Sequence, residues 1–480
     1  MQERPGADRL DSFVANPRRA LWILALPILI GMSIQTLYMI VDMFFVGRVS
    51  PEALTALAFN MPLVFLAMGV TFGLGTGITA VIAQAIGARD RVRADCAAEH
   101  AVLIGALVAA LTTGSALVFG VPLLHALGVP EDLVPQAWSY FRVLACGYPF
   151  MVLAVFFRSI LSGEGNVKTP VMIQGAATLL NIALDPLFIF TFGMGVAGAA
   201  LATIVSQAIA ALAFIYLLFI AKLSYVRFNL RNFRYDPAIA RSICVIGLPA
   251  SLSFLVMSMG GGVLNRILVE HTPDAVAALQ IGSRLDHVVI LPQVAVASGL
   301  VTLVGMFYGA RRGDLLREIV RYAMARTILL SLAIAAAFYV LAPALVAFFT
   351  DSPGIRSLGV GYLRVVVFAY PFIGVSILTG RTLQGLGRGS PELWLSLLRV
   401  ILISAPLAWA VTFWLRLPVQ WVWYSSLVGT VISASVALLW LTAGLRTAIN
   451  TIGEGAPLPG DQADGSALTV EATAEAAEPA

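Results

Sequence analysis

Asp42, Asn181 and Asp185 are the residues best placed to do chemistry in this 480-residue chain, because each interrupts a long apolar run. Asp42 stands in Ile40-Val41-Asp42-Met43-Phe44-Phe45, and Asp185 in Asn181-Ile182-Ala183-Leu184-Asp185-Pro186. They lie about six and about eight residues before their runs end, so at about 1.5 Å per residue both carboxylates fall roughly 9–12 Å below the same surface. The i, i+4 spacing puts the Asn181 amide and the Asp185 carboxylate on one helix face. Pro186 has no N–H, which leaves a carbonyl one turn earlier without its helical donor. Two carboxylates facing one dry cavity cannot both stay ionised cheaply, so cation uptake is the expected chemistry. A proton would serve. So would Na⁺ held by Asp42, Asn181, Asp185 and Thr203, and an all-oxygen donor set does not choose between the two ions.

The alternative is architectural: Arg142 enters a neighbouring run at similar depth and is able to neutralise one aspartate. The chain contains its own control. Tyr148-Pro149-Phe150 returns as Tyr370-Pro371-Phe372, Leu26-Pro27 as Leu248-Pro249, and Gly87-Ala88-Arg89 as Gly309-Ala310-Arg311. Tyr140-Phe141-Arg142-Val143 returns as Tyr362-Leu363-Arg364-Val365, and Gly163 with Gly165 as Gly385 with Gly387. Landmarks held at a spacing of about 222 residues mark a duplicated unit. Arg142 has a counterpart in Arg364, whereas Asp42 aligns with Leu264 and, once a one-residue deletion is allowed, Asn181 with Leu402 and Asp185 with Pro406. The arginine therefore belongs to both halves and the acids to one, which favours function over architecture for the acids.

The elements that position these groups must be membrane helices. The chain is 59% hydrophobic and 12% charged, where a soluble domain carries roughly 25% charged residues. Runs long enough to cross a bilayer are expected near residues 20–46, 55–86, 94–120, 135–161, 168–192 and 195–221, then 241–270, 275–308, 316–349, 357–383, 391–416 and 419–446. The fold class is thus an all-α membrane protein, with twelve transmembrane helices in two pseudo-symmetric six-helix bundles. Alternate loops hold about 20 Lys and Arg, against about three (Arg48, Arg356, Arg416) on the other side, so both termini are expected to be cytoplasmic. Residues 1–19 read as a cytoplasmic segment, 20–221 as the first lobe, 222–240 as a basic linker and 241–446 as the second lobe. An amphipathic surface helix is one option around Tyr225–Tyr235. Residues 447–480 read as a disordered acidic tail.

Other features weigh less. Gly73-Leu74-Gly75-Thr76-Gly77 suits close helix packing rather than phosphate binding. Asp286-His287 reads as a polar pair near a helix end at the outer interface, and Arg266 and Glu270 as an i, i+4 ion pair. Arg399 is a further intramembrane charge able to face a central cavity. Cys96, Cys146 and Cys244 have no metal-ligand spacing and read as small apolar fillers. Phosphate-loop, nucleophile–base and metal-ligand patterns do not appear, so no enzyme, cofactor, nucleotide or nucleic-acid partner is expected. Transport must then be driven by an ion gradient, and the chain is read as a monomer.

Taken together, these motifs resemble the multidrug and toxic compound extrusion (MATE) family over residues 17–446, most closely its DinF-like prokaryotic branch. The resemblance rests on Leu26-Pro27, Val41-Asp42-Met43-Phe44-Phe45-Val46-Gly47, Gly163-Glu164-Gly165-Asn166 with Lys168-Thr169-Pro170, and Asn181 to Pro186. It implies a V-shaped pair of bundles in a prokaryotic inner membrane, exporting organic cations or amphipathic drugs in exchange for H⁺ or Na⁺. It also implies that Asp42, Asn181, Asp185 and Thr203 form the coupling site and that Pro27 is the bend point of the first span. The competing expectation is a lipid-linked precursor flippase, which would place a pyrophosphate on a groove containing Arg399 and Arg142 or Arg364.

Overall fold

A computed structural model of the chain describes residues 5–47, 51–229, 231 and 233–454. Among these, twelve helices are long and apolar enough to cross a membrane. A short helix, α1 (Pro5–Ala15), precedes the first six spans: α2 (Pro17–Gly47), α3 (Pro51–Gly87), α4 (Arg91–Ala126), α5 (Val134–Gly163), α6 (Lys168–Pro186) and α7 (Gly195–Ile215). The second six are α8 (Pro237–Val269), α9 (Pro273–Gly309), α10 (Gly313–Ala347), α11 with α12 (Pro353–Val366 and Tyr370–Gly385), α13 with α14 (Ser390–Leu397 and Ala405–Trp409), and α15 (Gln420–Gly453). Stretches of π-helix follow α6 at Leu187–Thr191 and α7 at Tyr216–Ile220, and flank α14 at Leu398–Ser404 and Ala410–Trp414.

The duplication is visible in the backbone. Arg89 and Arg311, equivalent in the repeat, both turn through the left-handed region at φ +57° and +55°. Gly165 and Gly387 do so at +75° and +88°, where a side chain would be strained. At these glycines the chain closes each helix: Asn166 N donates to Leu161 O at 2.9 Å, and Arg388 N to Leu383 O at 2.8 Å, the usual C-terminal helix stop.

Burial follows the same symmetry. The spans of α3 and α9 are each 67% buried, whereas those of α4 and α10 are 22% and 17% buried, so the first pair is central and the second peripheral. Leu111 and Val118 on α4, like Leu329 and Val340 on α10, point outward, an arrangement only lipid makes inexpensive.

The two repeats join at the end of the molecule that carries both termini, called here the basic end. One hydrophobic cluster there contains Leu24, Ile78, Ile82 and Ile160 from the first repeat together with Ile243, Leu300, Phe307 and Leu378 from the second. Toward the opposite end it gives way to separate clusters, one around Leu124, Phe141 and Tyr148, the other around Val289, Leu363 and Trp423. A Cβ on Gly87 would strike the Met306 carbonyl, one on Gly309 the Gln84 carbonyl, and those on Gly73 and Gly77 the backbone of α8. The glycine run of α3 therefore serves close packing, as its composition predicted. Gln84 Nε2 donates to Gly385 O at 2.8 Å, and Arg18 pairs with Glu318 at 2.8 Å across the same seam.

Within the segment that precedes the first span, α1 buries Leu10 and Phe13, and its Asp11 pairs with Arg89. Two expectations need correction. The last span runs seven residues past 446, to Gly453, because Leu445, Ile449 and Ile452 still pack on the core. The linker forms no surface helix among its described residues, because its amides are taken elsewhere. Tyr225 and Val226 donate to Glu164, Arg227 to Asp95, Asn229 to Glu99 and Asp236 to His100, and side-chain acceptors of this kind compete with helical bonding. Arg48 and the acidic tail from 455 onward lie outside the described residues.

Candidate functional site

Asp42 sits five residues before the end of α2, and Asp185 in the last turn of α6. Asp185 is fully buried and Asn181 is 3% exposed, whereas Asp42 is half-buried. Thr203, on α7, gives its hydroxyl hydrogen to Ala199 O at 3.1 Å. Its oxygen can then only accept, from Asn181 Nδ2 at 3.5 Å and from Tyr38 Oη at 3.4 Å. That arrangement turns the Asn181 amide so that its oxygen points away from Thr203. Asn181 Oδ1 and both carboxylate oxygens of Asp185 are buried with no hydrogen-bond donor among the described residues. Asp42 lies within electrostatic reach of Asp185, and Tyr38 and Tyr140 within reach of both acids.

The four residues expected to act together are thus brought together. No Lys or Arg forms an ion pair with either acid among the described residues. Arg142, the neutralising partner in the architectural alternative, is exposed, as is its counterpart Arg364, which stacks on Tyr339 at 5.7 Å. Three buried acceptors without donors carry a cost of about 1–3 kcal/mol each, and a proton or a hard cation would meet it. Every donor present is an oxygen, which fits Na⁺ as well as H⁺.

Pro27 lies within the continuous helix α2, where its missing N–H leaves the Ile23 carbonyl without a helical partner. Past Pro186 the chain continues as π-helix, a form often found at functional positions. Arg399 stands in the π stretch Leu398–Ser404 that precedes α14, half-buried and without an ion-pair partner among the described residues. It is not part of the Asp42–Asp185 cluster.

Asp286 is misplaced by a reading that puts it near a helix end. It lies thirteen residues into α9 and accepts hydrogen bonds from Tyr362 Oη at 2.6 Å and Tyr370 Oη at 2.8 Å. Arg266 and Glu270 form the expected pair at 3.1 Å. Reasoning from sequence also missed Tyr38 and Tyr140. Tyr38 precedes Asp42 by one helical turn and was open to discovery from spacing; Tyr140 was visible only as a repeat landmark.

Glu164, read from sequence only as part of a turn, is a fully buried carboxylate at the basic end. Burial pushes its pKa up, while the hydroxyl of Ser224, the amides of Tyr225 and Val226, and the charge of Arg9 pull it down. It fastens the linker to the first repeat.

Comparison with known proteins gives the same partition of the chain. The MatE family profile matches twice, at residues 27–187 and 249–410, with starts 222 residues apart. The chain is 27% identical to the FAD transporter of Shewanella oneidensis, covering 84% of this chain and 89% of that one. It is 25% identical to the probable multidrug resistance protein NorM of Thermotoga maritima, covering 90% and 93%. In three dimensions it is similar to a MOP-superfamily transporter from Pyrococcus furiosus, with TM-score 0.88 and 30% identity over 94% of this chain and 100% of that one.

Proposed function

The chain belongs to the MatE family of membrane transporters, and from that premise we propose that it exports amphipathic or cationic organic compounds by exchange for H⁺ or Na⁺. The observation that carries this reading is the buried acceptor set: Asn181 Oδ1 and both oxygens of Asp185 have no donor among the described residues, and Asp42 stands alongside. A site that is costly when empty takes its ion from the side where that ion is abundant. Intramembrane acids of this kind mark ion pathways by default.

The proposed cycle uses the closed seam. With the repeats joined at the basic end, read as cytoplasmic, and separate toward the other, the structure supports an outward-open state. A cation entering at Asp42 reaches Asp185 and Asn181, draws α2 toward α6 and α7 through Tyr38 and Thr203, and hinges α2 near Pro27. Substrate between the repeats is displaced outward, and the repeats then rock to expose the opposite side. Differential affinity for the two states is what permits exchange. The inner membrane of a prokaryote is the proposed location, with the chain acting as a monomer. The flippase reading is weaker, because Arg364 stacks on Tyr339 of the peripheral α10.

The test is ethidium efflux from everted vesicles under separately imposed pH and Na⁺ gradients. Wild type should pump under one of them, and Asp42→Asn and Asp185→Asn should fail while remaining in the membrane. Undiminished pumping by both variants would remove the acids from the mechanism.

A further inference from the structure

Two arginines unused by the exchange reading, one from each repeat, approach the same face of α3. From Thr71 to Gly87 every residue of α3 is buried except Phe72 and Thr76, which lie one turn apart on one face. Arg158 of α5 sets its guanidinium over the Phe72 ring, 5.2 Å from the centroid. Arg381 of α12 donates from Nη1 to Thr76 Oγ1 at 2.8 Å and to Gln384 Oε1 at 3.1 Å. One guanidinium thus comes from each repeat, and both are half-buried rather than sealed. The only accessible spot on this part of α3 is the spot they share.

Neither has a carboxylate within ion-pairing distance among the described residues. Glu392 reaches Arg381 only through Gln384, whose amide it accepts. Arg158 makes no hydrogen bond from its side chain among the described residues, so its whole planar fork is free. Both residues lie within membrane spans, five residues before Gly163 and four before Gly385. A membrane-embedded charge is expensive and faces water, a partner or a ligand. A guanidinium fork matches a carboxylate or phosphate in two parallel bonds, and Phe72 offers a ring against which an aromatic body can stack.

We propose that Arg158 and Arg381 form an anion-binding site on this face of α3, so that transported molecules include amphiphiles bearing a carboxylate or phosphate. This deepens the export reading and rests on it for the word transported; the binding site itself does not. The anion site and the cation-accepting acids stand toward opposite ends of the spans, so the two ions need not compete for one set of ligands.

Two matched dye pairs test it on the purified full-length protein: rhodamine B against its ethyl ester, and riboflavin 5′-phosphate against riboflavin. The expected result is that at least one anionic member binds more tightly than its neutral-group partner, and that Arg158→Gln/Arg381→Gln weakens that member about tenfold or more. Ester and riboflavin binding should change by less than about twofold, which also reports that the variant is folded. Arg158→Lys/Arg381→Lys, keeping charge but losing the fork, should fall between. If only one pair discriminates, the site is assigned to that group, carboxylate or phosphate. The proposal is overturned if wild type prefers neither anion, or if the double Gln variant binds it as well as wild type. Loaded proteoliposomes separate the two readings: arginine-dependent binding without export of any dye sinks the export reading and upholds the site.

Discussion

Tyr140 and Tyr148 of the first repeat recur as Tyr362 and Tyr370 of the second, yet their hydroxyls do different things. In the second repeat both donate to Asp286, filling its acceptors. In the first, the position equivalent to Asp286 is Val64, and the Tyr148 hydroxyl is buried without a partner among the described residues. The acids there come instead from α2 and α6, and Asp185 has no donor among the described residues. One scaffold thus carries a satisfied carboxylate in one half and an unsatisfied one in the other. A carboxylate whose lone pairs are occupied holds helices together; one whose lone pairs are empty is available to a mobile ion.

The sharpest way to break this comparison is to exchange the roles by mutation. Asp185→Asn should reduce gradient-driven efflux at least about tenfold, because it removes the charge at the intramembrane site. Asp286→Asn should leave coupling intact and cost about 1–3 kcal/mol of stability, read as a lower melting temperature in detergent, by turning an amide N–H toward one of the two hydroxyl donors. Equal loss of coupling in both variants would erase the distinction between the halves.

Smaller effects sharpen it. Thr203→Val removes the acceptor shared by Asn181 and Tyr38 and should weaken the apparent affinity for the coupling ion by about 3–10-fold, measured from the ion dependence of efflux. At the basic end, Glu164 occupies the turn where the second repeat has buried Leu386. Because burial raises its pKa, its contribution to stability is full below the ordinary glutamate range and is lost as pH rises through the raised value. Melting temperature should therefore decline as pH rises from the ordinary glutamate range, and Glu164→Gln should flatten that slope. Arg142→Gln, at an exposed position shared by both repeats, should change efflux by less than about twofold.

The duplication, the twelve spans and the acids were legible in the sequence, because each is a departure from an apolar background that position alone reveals. Asp286 was not, since its partners Tyr362 and Tyr370 lie 76 and 84 residues away in the chain and only packing joins them. The linker's lack of helix was hidden for the same reason: the acceptors for its amides sit on α4 and at the end of α5. Arg158 and Arg381 carry no motif. What marks them is the accessible face of α3 between them, and that is a property of the assembled helices.

The most direct test of the account is to add ethidium to purified protein in weakly buffered solution, with and without Na⁺, and measure proton release and displacement of bound ²²Na⁺. The account predicts that dye binding expels a proton or Na⁺ from wild type and from Asp286→Asn, and expels neither from Asp185→Asn although the dye still binds. Ion release that survives Asp185→Asn, or disappears with Asp286→Asn, would contradict it.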